Sequence, residues 1–155
     1  MSLAVFDRYD RHILQLLQVE GRLSNAALAE RVGLSPSPCL RRVKQLEAEG
    51  VVRGYQACLD REAVGLGLTV FVNVKVERHQ EASADAFKEA IVSLPEVVSV
   101  HLVSGEADFL LQVVAPDLKH YERFLTGVLL KIPGVRDIRS NFAIQTLKSQ
   151  GTLPI

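Results

Sequence analysis

A joint between helix and strand occurs twice in this chain, at Leu94-Pro95-Glu96-Val97 and at Ile132-Pro133-Gly134-Val135. In each copy a proline ends a helical pattern and a valine opens a strand pattern. The surroundings repeat as well. Leu68, Val70, Val72, Val74 and Val76 form one face of a strand, with Thr69, Asn73, Lys75 and Glu77 mostly on the other. Phe87, Ile91 and Leu94 follow along one helix face. Residues 97–103 and 109–114 read as strands separated by Ser104-Gly105-Glu106-Ala107-Asp108, short enough for a hairpin. Asp117 caps a last helix with Leu118, Tyr121, Leu125, Val128 and Leu129 facing inward. Residues 135–147 close as a strand with Ile138, Ser140, Phe142 and Ile144 on one face. Chance recurrence of a common proline joint is the alternative, but the strand–helix order around both copies favours a repeat. Two β-α-β units joined through a hairpin give β-α-β-β-α-β, the ferredoxin-like arrangement. Its helices cover one sheet surface, and Phe71, His101, Val103 and Leu111 are expected to line the other. An apolar sheet face needs a partner in a soluble chain, so dimerisation is expected.

The first sixty residues follow a different grammar, short helices with sharp punctuation. Asp7 is an N-cap with Asp10 three residues on, followed by Ile13, Leu14 and Leu17 as an apolar stripe. Gly21 is expected to stop this helix in a left-handed conformation. Ser24 caps a second helix carrying Leu28, Ala29 and Val32, which Gly33 ends. Ser35 caps a third helix with Pro36 at its first position, where a missing N–H costs nothing. Pro38 also falls in the first turn, which leaves Ser35 only the amide of Ser37 to accept from. That helix ends at Gly50, and short β-like stretches at residues 51–52 and 55–59 flank Gly54. Short helix, glycine turn and capped second helix make a helix-turn-helix joint.

At 3.6 residues per turn, Cys39, Leu40, Val43 and Leu46 fall on one side of the third helix. Ser37, Arg41, Lys44 and Gln45 fall opposite, with Arg42 at the margin. Between Ser35 and Leu46 there are three cations, Arg41, Arg42 and Lys44, and no acid. Such a face offers donors for guanine edges and phosphates. Any isolated helix with three cations reads as a solvated face; the glycine turn and the Ser-Pro start shift the reading to DNA.

Composition narrows the alternatives. Lys+Arg and Asp+Glu number 18 each, so bulk charge cannot drive nucleic-acid binding and a local basic face must. With 48% hydrophobic and 23% charged residues the mixture is globular rather than disordered. No apolar run approaches the roughly 20 residues of a membrane span, and MSLAVFDRYD lacks the pattern of a secretory signal. Cys39 and Cys58 are too few for a disulfide framework or a four-thiolate zinc site, so a reducing, cytoplasmic setting is expected. Both are read as structural. His12, His79, His101 and His120 are scattered, with no metal spacing, and no Gly-x-Ser-x-Gly or phosphate-loop pattern occurs. No metal, cofactor or enzymatic activity is expected. Ser104, His101 and Asp108 are hairpin neighbours rather than a catalytic trio.

The run Asp7-x-x-Asp10-x-x-Ile13-Leu14-x-x-Leu17-Gln18-x-x-Gly21-Arg22 and the stretch Val32-Gly33-Leu34-Ser35-Pro36-Ser37-Pro38-Cys39-Leu40-Arg41-Arg42-Val43 closely resemble the feast/famine (Lrp/AsnC) transcription regulators. The resemblance continues through Gly50-Val51-Val52-x-Gly54-Tyr55, through His101-Leu102-Val103-Ser104-Gly105-Glu106-x-Asp108-Phe109-Leu110-Leu111, and through Leu129-Leu130-x-Ile132-Pro133-Gly134-Val135. It covers nearly the whole chain. It implies an α+β protein: a winged helix-turn-helix domain over residues 1–50, a β-linker over 51–65, and a ferredoxin-like domain termed the regulation of amino-acid metabolism (RAM) domain over 66–155. The first domain would bind operator DNA through Ser35, Ser37, Pro38, Arg41, Arg42, Lys44 and Gln45. The second would pair into dimers, commonly assembled into rings such as octamers. It would bind an effector, usually an amino acid, between dimers near Ser104, Gly105, Glu106 and Asp108. Glu106 stands where many members carry Asp, and Phe109 where many carry Tyr, which leaves the effector's identity open.

Asp108 by itself reads as a turn former. As a carboxylate beside a permissive glycine it could also accept from an effector's ammonium group. A regulator that responds to an amino acid is the reading favoured. The alternative is an effector-binding assembly module whose helix-turn-helix serves protein contacts; the acid-free cationic face favours DNA.

Overall fold

The computed structural model describes residues 6–77, 81–149 and 151–155, with backbone only for 81–86. The first residues read for a signal, and His79, lie outside them. The chain divides into two compact units, Leu59–Leu147 and the remainder, in which Lys148–Ile155 groups with the residues up to Cys58.

In the first unit three helices enclose a small core. Helix α1 (Arg8–Val19) starts at Asp7, whose side chain accepts from the amides of Tyr9 and Asp10. Helix α2 (Asn25–Val32) starts at Ser24, which accepts from the Ala27 amide, and ends at Gly33 in a left-handed conformation (φ +76°). Helix α3 (Pro36–Ala48) follows after Gly33, Leu34 and Ser35. Ile13, Leu14, Leu28, Ala29, Val32, Cys39 and Leu46 are buried together. Burial pushes the Cys39 thiol pKa up, as for a small core side chain.

Three local expectations change. Gly21 does not take a left-handed conformation; α1 ends at Glu20 (φ −130°, ψ 70°), and a Cβ on Gly21 would lie 3.3 Å from the Tyr55 ring. The glycine is there for close approach, not for the turn. Ser35 has the backbone geometry of a cap but no capping hydrogen bond. Pro36 and Pro38 remove the donors on either side of Ser37. Leu40, placed on the inner side, is 41% exposed. In addition, residues 51–52 and 55–59 form no strand, since the described residues of this unit supply no partner strand. The tail lies against α1: Gln15 Nε2 donates to the Ile155 carbonyl (2.7 Å) and Gln18 Oε1 accepts from the Leu153 amide (2.5 Å).

The second unit is β1 (Leu68–Val76), α4 (Glu81–Val92), β2 (Val97–Leu102), β3 (Phe109–Ala115), α5 (Leu118–Gly127), a 3₁₀ turn (Leu129–Lys131) and β4 (Val135–Phe142). Strand order is β2-β3-β1-β4, and every neighbouring pair is antiparallel. Each β-α-β unit is therefore split by a strand of the other, which is the expected ferredoxin-like arrangement. Val70, Val72 and Val74 are fully buried with Leu111, Val113, Phe87 and Ile91. Phe87 and Phe109 pack with ring centroids 4.8 Å apart. Against the same face, from α5, Tyr121 meets Phe142 edge-on at 5.5 Å and shares a hydrogen bond with Ser140.

Register corrects the expected second face. Leu111 stands opposite Val72 and is 0% exposed, so it belongs to the helix-covered core. The uncovered face carries Phe71, Asn73, Lys75 and, in register with them, Leu110, Gln112, Arg139 and Asn141. It is largely polar, so hydrophobic exposure alone does not compel this face to pair. On α5, Tyr121 is buried as expected, but Leu118, expected inward, is 61% exposed, and Phe124, which the spacing did not single out, is buried. The last strand stops at Phe142, and Ile144 is fully exposed.

Candidate functional site

The exposed side of α3 carries Ser37, Arg41, Lys44 and Gln45, with Ser35 exposed just before it and Pro38 half-buried. Its start is tied to α2 by Asn25, whose Nδ2 donates to the Pro36 carbonyl (2.8 Å). Nothing in the local pattern singled out Asn25. Gln45 donates to Glu49 Oε1 (2.8 Å). Tyr55 donates to Glu47 Oε1 (3.0 Å) across the C-terminal turn of the helix, and burial pushes the Tyr55 pKa up, with Glu47 adding to the rise.

The three cations separate into two kinds. Arg41 and Lys44 are exposed, and no ion pair or hydrogen bond engages their side chains among the described residues. Arg42 is different. Its Nη1 lies 2.8 Å from Asp7 Oδ2 and 2.8 Å from Asp10 Oδ1. Its guanidinium carbon stands 5.5 Å from the centroid of the Tyr9 ring. The expectation that Arg42 joins the outward basic face meets a guanidinium turned inward to α1. The hydrogen bond to Asp10, then its charge and Asp7, push the Arg42 pKa up. The Asp10 amide, with Tyr9 and Arg42 adding, holds Asp7 below its ordinary value. The sequence signal is Asp7 and Asp10 three residues apart, which spacing alone presents as helix capping.

In the second unit, residues 103–108 join β2 to β3. Gly105 has φ +125°, a conformation that side chains rarely adopt. Asp108 closes the hairpin and ties it to β1. Its amide donates to the Val74 carbonyl (3.0 Å), its carbonyl accepts from the Val103 amide (3.0 Å), and its Oδ2 accepts from the Val76 amide (3.0 Å). That last bond lies at the register shift between Lys75 and Val76. Ser104, Gly105, Glu106 and Asp108 are indeed brought together, but the hairpin meets strand residues that motif reading missed. Arg139 Nη1 donates to Glu106 Oε2 (2.9 Å), and Arg139 Nε lies 3.5 Å from Asp137 Oδ2. A cleft of about 220 Å³ lies here, lined by Ser104, Glu106, Asn73, Lys75, Asp137 and Arg139. A second depression of about 600 Å³ adjoins it, with Gly105, Asp108 and Arg136 on its wall. Asn73 and Lys75 had been legible only as the polar side of a strand.

The cleft therefore presents carboxylates and cations together. That mixture of charge suits a ligand carrying both an ammonium group and a carboxylate. Among the described residues no group of His, Cys, Asp and Glu is arranged to hold a metal. No helix among them is long and apolar enough to cross a membrane.

Comparison with known proteins agrees with both halves. Residues 6–53 match the model of winged helix-turn-helix DNA-binding domains, and residues 69–153 match that of Lrp/AsnC ligand binding domains. The leucine-responsive regulatory protein of Escherichia coli K12 is 42% identical over 149 residues, covering 96% of this chain and 91% of that protein. The same protein from Klebsiella pneumoniae matches equally. A Neisseria meningitidis transcriptional regulator solved with L-Met superposes with a TM-score of 0.94 at 43% identity over 97% of both chains. An AsnC family regulator from Agrobacterium tumefaciens superposes with a TM-score of 0.91 at 40% identity, covering 96% of this chain and 97% of that one. Each of these relatives is a regulator. A helix-turn-helix unit with an outward cationic helix, joined to a ferredoxin-like unit with a charged hairpin cleft, places this chain in the Lrp/AsnC family of DNA-binding transcription regulators.

Proposed function

We propose that the chain reads operator DNA with the outward face of α3 and adjusts that binding to an amino acid held at the β2–β3 hairpin. The observation that carries the DNA half is the pair Arg41 and Lys44, exposed and unengaged on a helix whose third cation is turned away. Arg41, at the centre of the face, suits a base edge through its planar fork. Lys44 suits a phosphate, with Ser35, Ser37, Pro38 and Gln45 around them setting the approach.

The effector half rests on the hairpin's mixed charge. An amino acid needs a carboxylate for its ammonium group and donors for its own carboxylate. Glu106 and Asp108 supply the first, Asp108 with one oxygen on the Val76 amide. Lys75, Arg139 and the backbone near Ser104 and Gly105 supply the second. The L-Met complex of the Neisseria meningitidis regulator supports an amino acid as the ligand class. A homodimer, and a ring of dimers such as an octamer, would carry the signal from hairpin to helix. The protein would act in the cytoplasm, without catalysis or a cofactor.

The test is fluorescence anisotropy of a duplex spanning the chain's own promoter region, with each of the twenty amino acids added in turn. At least one should shift the affinity for DNA. Arg41→Ala should lower that affinity by about 1–3 kcal/mol and relax sequence preference. Equal binding of promoter and random duplex by the wild-type protein would sink the proposal.

A further inference from the structure

We propose that Arg42 is a positioning residue that bolts α3 to the start of α1, and that Asp7 and Asp10 strengthen DNA binding despite their charge. The inference rests on α3 being the DNA-reading element and adds what sets its orientation.

The first turn of α3 is poorly capped, and a single bond, from Asn25 on α2 to the Pro36 carbonyl, ties its start. Ser35 makes no capping bond, and prolines occupy positions 36 and 38. Cys39, Val43 and Leu46 bury one face of the helix and set its roll to within the width of that apolar stripe, which directional contacts then narrow. The Arg42 guanidinium adds direction. It bridges the carboxylates of Asp7, the N-cap of α1, and Asp10, in its first turn, each at 2.8 Å. Tyr9, between them in sequence, presents its ring to Arg42 on one side, and the Arg8 guanidinium carbon lies 4.5 Å from the same ring's centroid. Asp7 serves both ends at once: Oδ1 caps α1 and Oδ2 receives Arg42. The Asp10 side chain is 20% exposed and that of Arg42 29%, so solvent and salt weaken this pair less than a surface one.

Arg41 and Arg42 are adjacent, and successive side chains on a helix diverge by about 100°. Fixing where Arg42 points therefore fixes where Arg41 points. The sign of one effect separates this reading from plain electrostatics. Two acids near a DNA-binding helix repel phosphates, so neutralising either should tighten binding. A bolt predicts the opposite.

The experiment uses the full chain with Asp10→Asn, Asp7→Asn, Arg42→Gln and Arg41→Ala, titrated on the promoter duplex and on a random duplex across a salt series. Asn caps a helix about as well as Asp, so Asp7→Asn removes the bolt and spares the cap. Circular dichroism fixes a temperature at which every variant is folded. Asp10→Asn and Asp7→Asn should each bind the promoter duplex about five- to tenfold more weakly. Binding to the random duplex should not weaken, because the lost acid removes only repulsion there. Arg42→Gln should weaken promoter binding at least as much while the slope of log K against log salt stays as in wild type. Equal or tighter promoter binding by both Asp variants overturns the bolt. So does a slope reduced by about 0.9 in Arg42→Gln, the mark of one lost phosphate contact. If Arg41→Ala loses promoter affinity while the Asp variants keep theirs, the bolt alone has failed. If Arg41→Ala also binds normally, the reading of α3 has failed and the bolt falls with it.

Discussion

Replacing Asp108 separates a structural clip from a ligand contact. Its Oδ2 accepts from the Val76 amide at 3.0 Å, at the point where β1 shifts register against β4. Val76 is 7% exposed, so water has little access to that amide if the acceptor goes. A hydrogen bond to an ionised acceptor contributes about 1.5–3 kcal/mol, and an abandoned buried donor costs about 1–3 kcal/mol. These describe the same loss from two sides, so Asp108→Ala should destabilise the fold by about 2–3 kcal/mol. Asp108→Asn keeps an oxygen in place and forgoes only the charge, so it should cost about 1 kcal/mol. In a domain of this size 1 kcal/mol moves Tm by roughly 4–8 °C, which places Asp108→Ala about 10 °C or more below wild type and Asp108→Asn about 5 °C below. The assay is thermal unfolding by circular dichroism at one fixed protomer concentration, because association shifts apparent stability. The order wild type, Asn, Ala is the result expected. Asn as unstable as Ala would refute the hydrogen-bond reasoning and leave the carboxylate's charge as the stabilising feature. If both variants match wild type, the bond to the Val76 amide contributes nothing to stability.

Leu111→Ala opens a cavity opposite Val72 at a fully buried position and should cost about 2–5 kcal/mol, read as a lowered urea midpoint at constant protomer concentration. A loss under about 1 kcal/mol would contradict its place in the core. Acid should destabilise the protein from below the ordinary carboxylate range. The Asp10 amide holds Asp7 down and the His120 amide and ring hold Asp117 down, so both bind protons less readily folded than unfolded. Their stabilisation is complete above the ordinary value of 3.8 and is lost as pH falls through the lower folded values. Tm measured against pH should be flat above about pH 5 and fall below about pH 4; a rise over that lower interval would reverse the assignment.

Much of the molecule was legible in order and spacing. Local chemistry is enough to place Asp7, Ser24 and Asp117 as caps, because a cap is a contact between residues two or three apart. It is enough for Gly33, because a left-handed helix end depends on one residue's own backbone. Alternation alone assigned Val70, Val72 and Val74 to the buried face, since a strand's period is two whatever it pairs with. The repeated proline joint carried the topology, and the family motifs carried the location of the hairpin.

The failures share a cause. Leu111 was assigned to the wrong face because strand register, not composition, decides which side of β3 meets Val72. Gly21 was read as a turn, whereas its missing Cβ makes room for Tyr55, far along the chain. Helical projection put Arg42 near the outward face, and only the packing of α1 beside α3 turned its guanidinium onto Asp7 and Asp10. The cleft at the hairpin joins Glu106 to Lys75, Asp137 and Arg139 because β1 and β4 lie side by side, though far apart in sequence. Sequence thus determined what each residue does to its own backbone, where the interaction is short-range and repeats with the period of the element. Only the tertiary structure decided which distant side chains share a charge or a cavity, because those contacts depend on how the elements pack rather than on spacing along the chain.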